Sequence, residues 1–94
     1  MLFAKVTHPE KGYEDDREYI KRLDFNTMYP VTLISMGQSH THIELKGAKG
    51  YYNSIQFTFY EGEREEGAKE VNIYRSFTYN PYLGGIGTAY TEVR

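Results

Sequence analysis

His40, His42 and Glu44 stand at i, i+2 and i+4. Successive side chains of an extended chain alternate between faces, so this spacing puts two imidazoles and a carboxylate on one side of a strand, a donor set that suits zinc or iron. A plainer reading competes. A row of polar residues opposite Ile43 and Leu45 is what a half-buried strand requires anyway, and the third histidine, His8, is remote in sequence. We therefore assign no metal. Ser39-His40 does not make a nucleophile beside its base, because adjacent strand residues point apart and triads are assembled by geometry rather than adjacency. Gly84-Gly85-Ile86-Gly87 is followed by Thr88-Ala89-Tyr90-Thr91, which lacks both the helix and the Lys-Ser/Thr pair of a phosphate cradle. The sequence supplies no catalytic set and implies no cofactor, and it reads as non-enzymatic.

Binding chemistry is better represented. Lys46, Lys49, Tyr51 and Tyr52 place basic charge beside stackable rings, the ingredients of a single-strand nucleic-acid platform, although an ordinary charged turn has the same composition. Ten tyrosines and five phenylalanines are an unusual share for 94 residues. Tyr51, Tyr52, Tyr60, Tyr74, Tyr79, Tyr82 and Tyr90 exceed what one small core absorbs when Phe57, Phe59, Ile55, Val71, Ile73, Leu33 and Ile43 already compete for it. Tyrosine gives large contact area at low entropic cost, so the surplus marks a contact surface. The candidate binding residues are Tyr51, Tyr52, Tyr79, Tyr82, Tyr90, Lys46, Lys49, His40 and His42. Tyr79 to Tyr90 is expected to lie outside the minimal core, after the Asn80-Pro81 break.

The elements that must position these residues are strands. Tyr29 to Ile34, Ile43 to Leu45 and Ile55 to Tyr60 repeat with period two, with Ile55, Phe57 and Phe59 expected on the buried face. The breaks Gly37-Gln38-Ser39-His40 and Lys46 to Gly50 are short and glycine-bearing, which predicts antiparallel pairing of each run with the next. Pro30 has no backbone donor and belongs at a strand start or edge. Leu2 to Thr7 predicts a first strand, Val71 to Arg75 a fourth strand of the central sheet or barrel, and Thr88 to Val93 a last edge strand. Asp15 or Asp16 is positioned to cap a short helix near residues 16–23, with Tyr19, Ile20 and Leu23 on one face. Asp24 to Thr27 reads as a turn, and Glu61 to Glu70 as a solvated hairpin tip. The expected fold is mainly β (α+β): one β-rich domain over residues 1–94, a small antiparallel SH3-like barrel or a rolled sheet of about five strands.

Charge and cysteine content set the context. Thirteen acidic against eleven basic residues give a formal charge of −2, against the clustered basic face of a nucleic-acid binder. No cysteine is present, which fits a reducing compartment. No apolar run reaches membrane-spanning length. The expected location is cytoplasmic.

Tyr29-Pro30-Val31, then Met36-Gly37-Gln38-Ser39-His40-Thr41, Ile43, Leu45, Lys46-Gly47, Asn53-Ser54-Ile55-Gln56-Phe57-Thr58-Phe59 and Asn80-Pro81-Tyr82 resemble the pattern of small uncharacterised accessory proteins of bacteriophages and prophages. The resemblance spans about two thirds of the chain and carries no catalytic signature. It implies a setting inside the bacterial host cell, where such proteins often inhibit or sequester host machinery. The expected function is a phage-borne inhibitor, for instance in counter-defence, that docks a tyrosine-rich surface on a host protein. The alternatives are a small-ligand or nucleotide sequestering protein, with a pocket shared across a homo-oligomer, and a single-strand binder.

Overall fold

The computed structural model describes residues 1–37 and 40–73, and the backbone of 89–92. Among the described residues seven strands pair antiparallel: β1 (Leu2–Val6), β2 (Tyr29–Met36), β3 (Thr41–Leu45), β4 (Ala48–Asn53), β5 (Phe57–Glu61), β6 (Lys69–Val71) and β7 (Ala89–Glu92). The order is β4-β3-β2-β1-β5-β6, with β7 beside β2. The path does not join its ends, so the described strands form an open sheet, and the SH3-like closure is not among their pairings. One edge of β2 serves two partners, β1 at Tyr29 and Pro30 and β7 from Leu33 to Met36. Pro30 is the second residue of its strand, as its missing donor requires, and its carbonyl accepts from the Lys46 amide at 2.9 Å.

Period two supplies the core. Leu2, Ala4 and Val6 of β1 face Phe59 and Phe57 of β5, and Ile43 and Leu45 of β3 join them. Burying each such side chain contributes about 1.5–3 kcal/mol. The period breaks in β2, where one extra residue lies between the pairs Val31↔Leu45 and Ile34↔Ile43. This β-bulge moves Leu33 off the core face and puts Ile34 there instead, with the Thr32 hydroxyl donating to the Glu44 carbonyl at 3.1 Å.

The third apolar run differs from expectation in partner and in face. Phe57–Glu61 pairs with β1, not with β3, because residues 48–53 form a strand of their own. The expected loop at 46–50 is thus only a tight turn at Lys46-Gly47, with Gly47 at φ +86, followed by a bulge in which Gly50 takes φ +93. Ser54–Gln56 then makes a 3-10 turn, capped by the Asn53 side chain, which accepts from the Ile55 amide at 3.2 Å. That turn rotates Ile55 out to 46% exposure and Gln56 in to 1%.

The helix also starts earlier than expected. α1 (Glu14–Tyr19) continues into a 3-10 turn over Ile20–Arg22. Asp16 is not the capping residue; it lies in the first turn and its carboxylate reaches back to the Tyr13 amide at 2.9 Å. Ile20 and Leu23 enter the core with Tyr19 packed beside them, the face expected from sequence. The Asp24 turn is present too: its carboxylate accepts from the Asn26 amide and the Thr27 hydroxyl, which hold its pKa below the usual value. Glu61 and Lys69 close the β5–β6 hairpin, whose tip at 63–67 is exposed. β6 covers only Lys69–Val71, with Ile73 buried beyond it, and the rest of the strand expected to Arg75 lies outside the described residues.

Gly47 and Gly50 share a left-handed backbone but not their surroundings. A Cβ on Gly47 meets nothing within 4 Å, whereas one on Gly50 collides with the Tyr19 hydroxyl. Gly47→Ala should therefore cost about 1 kcal/mol, the conformational penalty alone. Gly50→Ala should cost roughly 2 kcal/mol or more, because displacement of Tyr19 is added. Urea denaturation of both variants measures the difference, and equal losses would contradict the close seating of Tyr19 on β4.

Candidate functional site

The β3–β4 hairpin sends Ile43 and Tyr52 into the core as a cross-strand pair, so their neighbours turn to the other face. There Glu44 stands opposite Tyr51, and His42 opposite Asn53. α1 reaches the same place from outside the sheet. The Asn53 amide donates to the Asp16 carboxylate at 3.0 Å, and this oxygen also takes the Tyr13 amide, so Asp16 is held from two directions.

Two open hollows result. One of about 400 Å³ is lined by Asp16, Ser35, His42 and Tyr51. The other, of about 370 Å³, is lined by Asp15, Asp16, Tyr19, Gly50 and Tyr51. Tyr51 and Asp16 belong to both, and Tyr51 is 54% exposed. A train of rings continues from His42 of the first hollow: Tyr13, 64% exposed, lies edge-on to His40 at 5.3 Å, and His40 edge-on to His42 at 5.4 Å. The described residues contain no group of three His, Cys, Asp or Glu side chains able to hold a metal. They also contain no helix long and apolar enough to cross a membrane.

A family model described as Bacteriophage T4 protein Y07B matches residues 1–84 of the chain. The chain belongs to this phage family. A relative from Enterobacteria phage T4, an uncharacterized 11.2 kDa protein in the segB-ipI intergenic region, is 30% identical over 80 residues, covering 81% of this chain and 83% of the relative. No solved structure matches the chain. The matched segment of this Y07B-family protein includes every residue that lines the two hollows.

The sequence candidates do not share one surface. Tyr51 is exposed, but Tyr52 is 3% exposed and packs against Tyr19 at 5.0 Å and Phe57 at 6.2 Å between ring centroids. Burial pushes its phenol above the usual pKa, helped by Tyr19 nearby, and its hydroxyl donates to the Lys49 carbonyl at 3.2 Å. Tyr52 is therefore a core residue with no face to offer a partner. The reason is the pleat: of two adjacent tyrosines on a strand, one must point inward.

Lys46 and Lys49 are exposed, with Lys46 in the turn at the end of the hairpin away from His40 and His42. His40 and His42 are half-buried and adjacent, as their spacing suggested. Tyr79, Tyr82 and Gly84 to Gly87 lie outside the described residues, and of Tyr90 the backbone alone is placed, opposite Ser35 in β7. Sequence reasoning missed Asp15, Asp16, Tyr19 and Ser35 as residues that share the hollows with Tyr51. The acidic trio Glu14-Asp15-Asp16 carries only a helix-start signal, and nothing local says which strand it meets.

Adjacent tyrosines with opposite roles make a clean test. Tyr51→Ala should leave stability within about 0.5 kcal/mol, as surface substitutions do. Tyr52→Ala should lower it by about 3–5 kcal/mol, as for other large core residues. Denaturant melts of the two variants decide; comparable losses would place Tyr51 in the structural core.

Proposed function

We propose that this Y07B-family protein is a non-enzymatic binding protein that acts in the cytoplasm of the infected bacterium. There it docks on a host protein and blocks it, a mode of action that serves counter-defence. The observation that carries the reading is Tyr51 standing exposed between two open hollows, with His42 lining the first and His40 and Tyr13 continuing from it ring to ring. Exposed aromatics beside fixed polar groups are the composition of interface centres, where a few anchors carry most of the affinity. Asp16 adds preorganisation, because its carboxylate is already ordered before a partner arrives.

Sequestration of a small ligand is a second reading, favoured by volume alone, since about 400 Å³ is within the range of ligand pockets. A nucleotide would meet the Asp16 carboxylate there, and Tyr52 and Lys46 do not line the hollow, so the docking role has the stronger support.

Affinity capture from host lysate with the folded wild type and Tyr51→Ala tests the proposal, with Ile55→Ala as a variant at another exposed position. A specific host protein should bind wild type and Ile55→Ala. Tyr51→Ala should lose about 2 kcal/mol of affinity, roughly thirtyfold. Failure of the folded wild type to retain any specific protein, or equal retention by Tyr51→Ala, would count against docking through this face.

A further inference from the structure

We infer that the two hollows beside Tyr51 receive a basic side chain of the partner, arginine above all. The inference rests on the docking role proposed above and specifies the chemistry of what docks. Each hollow is lined by the exposed Tyr51 and by a carboxylate: Asp16 in both, and Asp15 in the second. The negative face of an aromatic ring attracts a cation, and a neighbouring carboxylate accepts its hydrogen bonds. A planar guanidinium uses both at once, stacking through its face and forking through its edge, which an ammonium does less well.

The charges around the ring agree. Glu44 lies across the strand pair from Tyr51 and adds a third carboxylate near the site. Against these stand Lys49, exposed two residues before Tyr51, and Arg17, whose guanidinium donates to the Gly12 carbonyl. Among the described residues neither lysine nor arginine lines either hollow. A phosphate or nucleotide would therefore face carboxylates, with no lysine or arginine among the described residues lining the hollows. The fold already contains an arginine on a tyrosine next door: the Arg22 guanidinium lies 4.5 Å from the ring centroid of Tyr19, itself a wall of the second hollow.

The probe is the capped peptide Gly-Arg-Gly-Arg-Gly, titrated into the isotope-labelled full chain and followed by amide chemical shifts. Its glutamate counterpart and ATP are the comparisons. The expected result is saturable shifts centred on Asp15, Asp16, Ser35, Gly50 and Tyr51, with affinity falling as salt is raised. Tyr51→Ala should weaken binding by about two- to fivefold. Asp15→Asn should do the same, and the double variant should weaken it about tenfold. Both positions are exposed, and Tyr51→Phe, which keeps the ring, should bind as wild type does.

Absence of saturable shifts, an equal response to the glutamate peptide or ATP, or unaltered binding by the double variant would overturn the inference. The two proposals fail separately. A captured host protein that needs Tyr51 but ignores both Asp15→Asn and raised salt leaves docking intact and removes the basic occupant. Peptide binding at these residues without host capture supports the hollow's chemistry and removes the host-docking role.

Discussion

Three backbone carbonyls, those of Pro9, Lys11 and Asp16, converge on the side-chain amide nitrogen of Gln56 at 3.1, 3.0 and 3.4 Å. The backbone carbonyl of Gln56 in turn accepts from the amides of Thr7 and His8 at 3.1 and 3.0 Å. One residue thus ties the whole passage from β1 to α1 onto the start of β5. Gln56 is 1% exposed, and losing a buried partner costs more than making the bond contributes. A six-residue helix has little stability of its own. α1 persists because Gln56 holds its Asp16 carbonyl, Asn53 holds its Asp16 carboxylate, and Ile20 and Leu23 are buried beneath its continuation.

The candidate site follows from that clamp. Tyr51 belongs to the sheet and Asp15 and Asp16 to the helix, 35 residues earlier at Asp16, and only the docking of one on the other brings ring and carboxylates to a common hollow. The bulge at Gly50 lets Tyr19 approach β4, where its hydroxyl donates to the Lys49 carbonyl at 3.2 Å. The same hairpin pleat that buries Tyr52 presents Tyr51 outward, so core packing and surface chemistry are set by one register.

The strands were legible wherever apolar residues alternate. β1, β2, β3 and β5, the helical face of Ile20 and Leu23, and the turn at Asp24 all follow from local pattern. β4 was hidden because Ala48, Lys49 and Gly50 have turn-like composition, and its strand character comes from pairing with β3. The exchange of Leu33 for Ile34 needs a bulge that no hydrophobic pattern encodes when both residues are apolar. Ile55 and Gln56 traded faces because Asn53 caps a turn; Asn53-Ser54 was the available sign, since such residues bond the backbone locally. The clamp itself was illegible, because its partners are 40 residues or more apart in sequence and no amide side chain announces which carbonyls it will meet. The phage resemblance, by contrast, lay in the sequence, and the family match agrees with it.

Gln56 holds the helix, and with it the acidic half of the site, against the sheet. Native-state amide hydrogen exchange on wild type and Gln56→Ala tests it directly, using the Arg17, Ile20 and Leu23 amides, which donate within the helical segment, as reporters. These amides should lose protection by an amount equivalent to about 1–3 kcal/mol of local opening, while amides of the β2–β3 pair lose much less. Retained helix protection in Gln56→Ala, or an equal loss in helix and sheet, would contradict it.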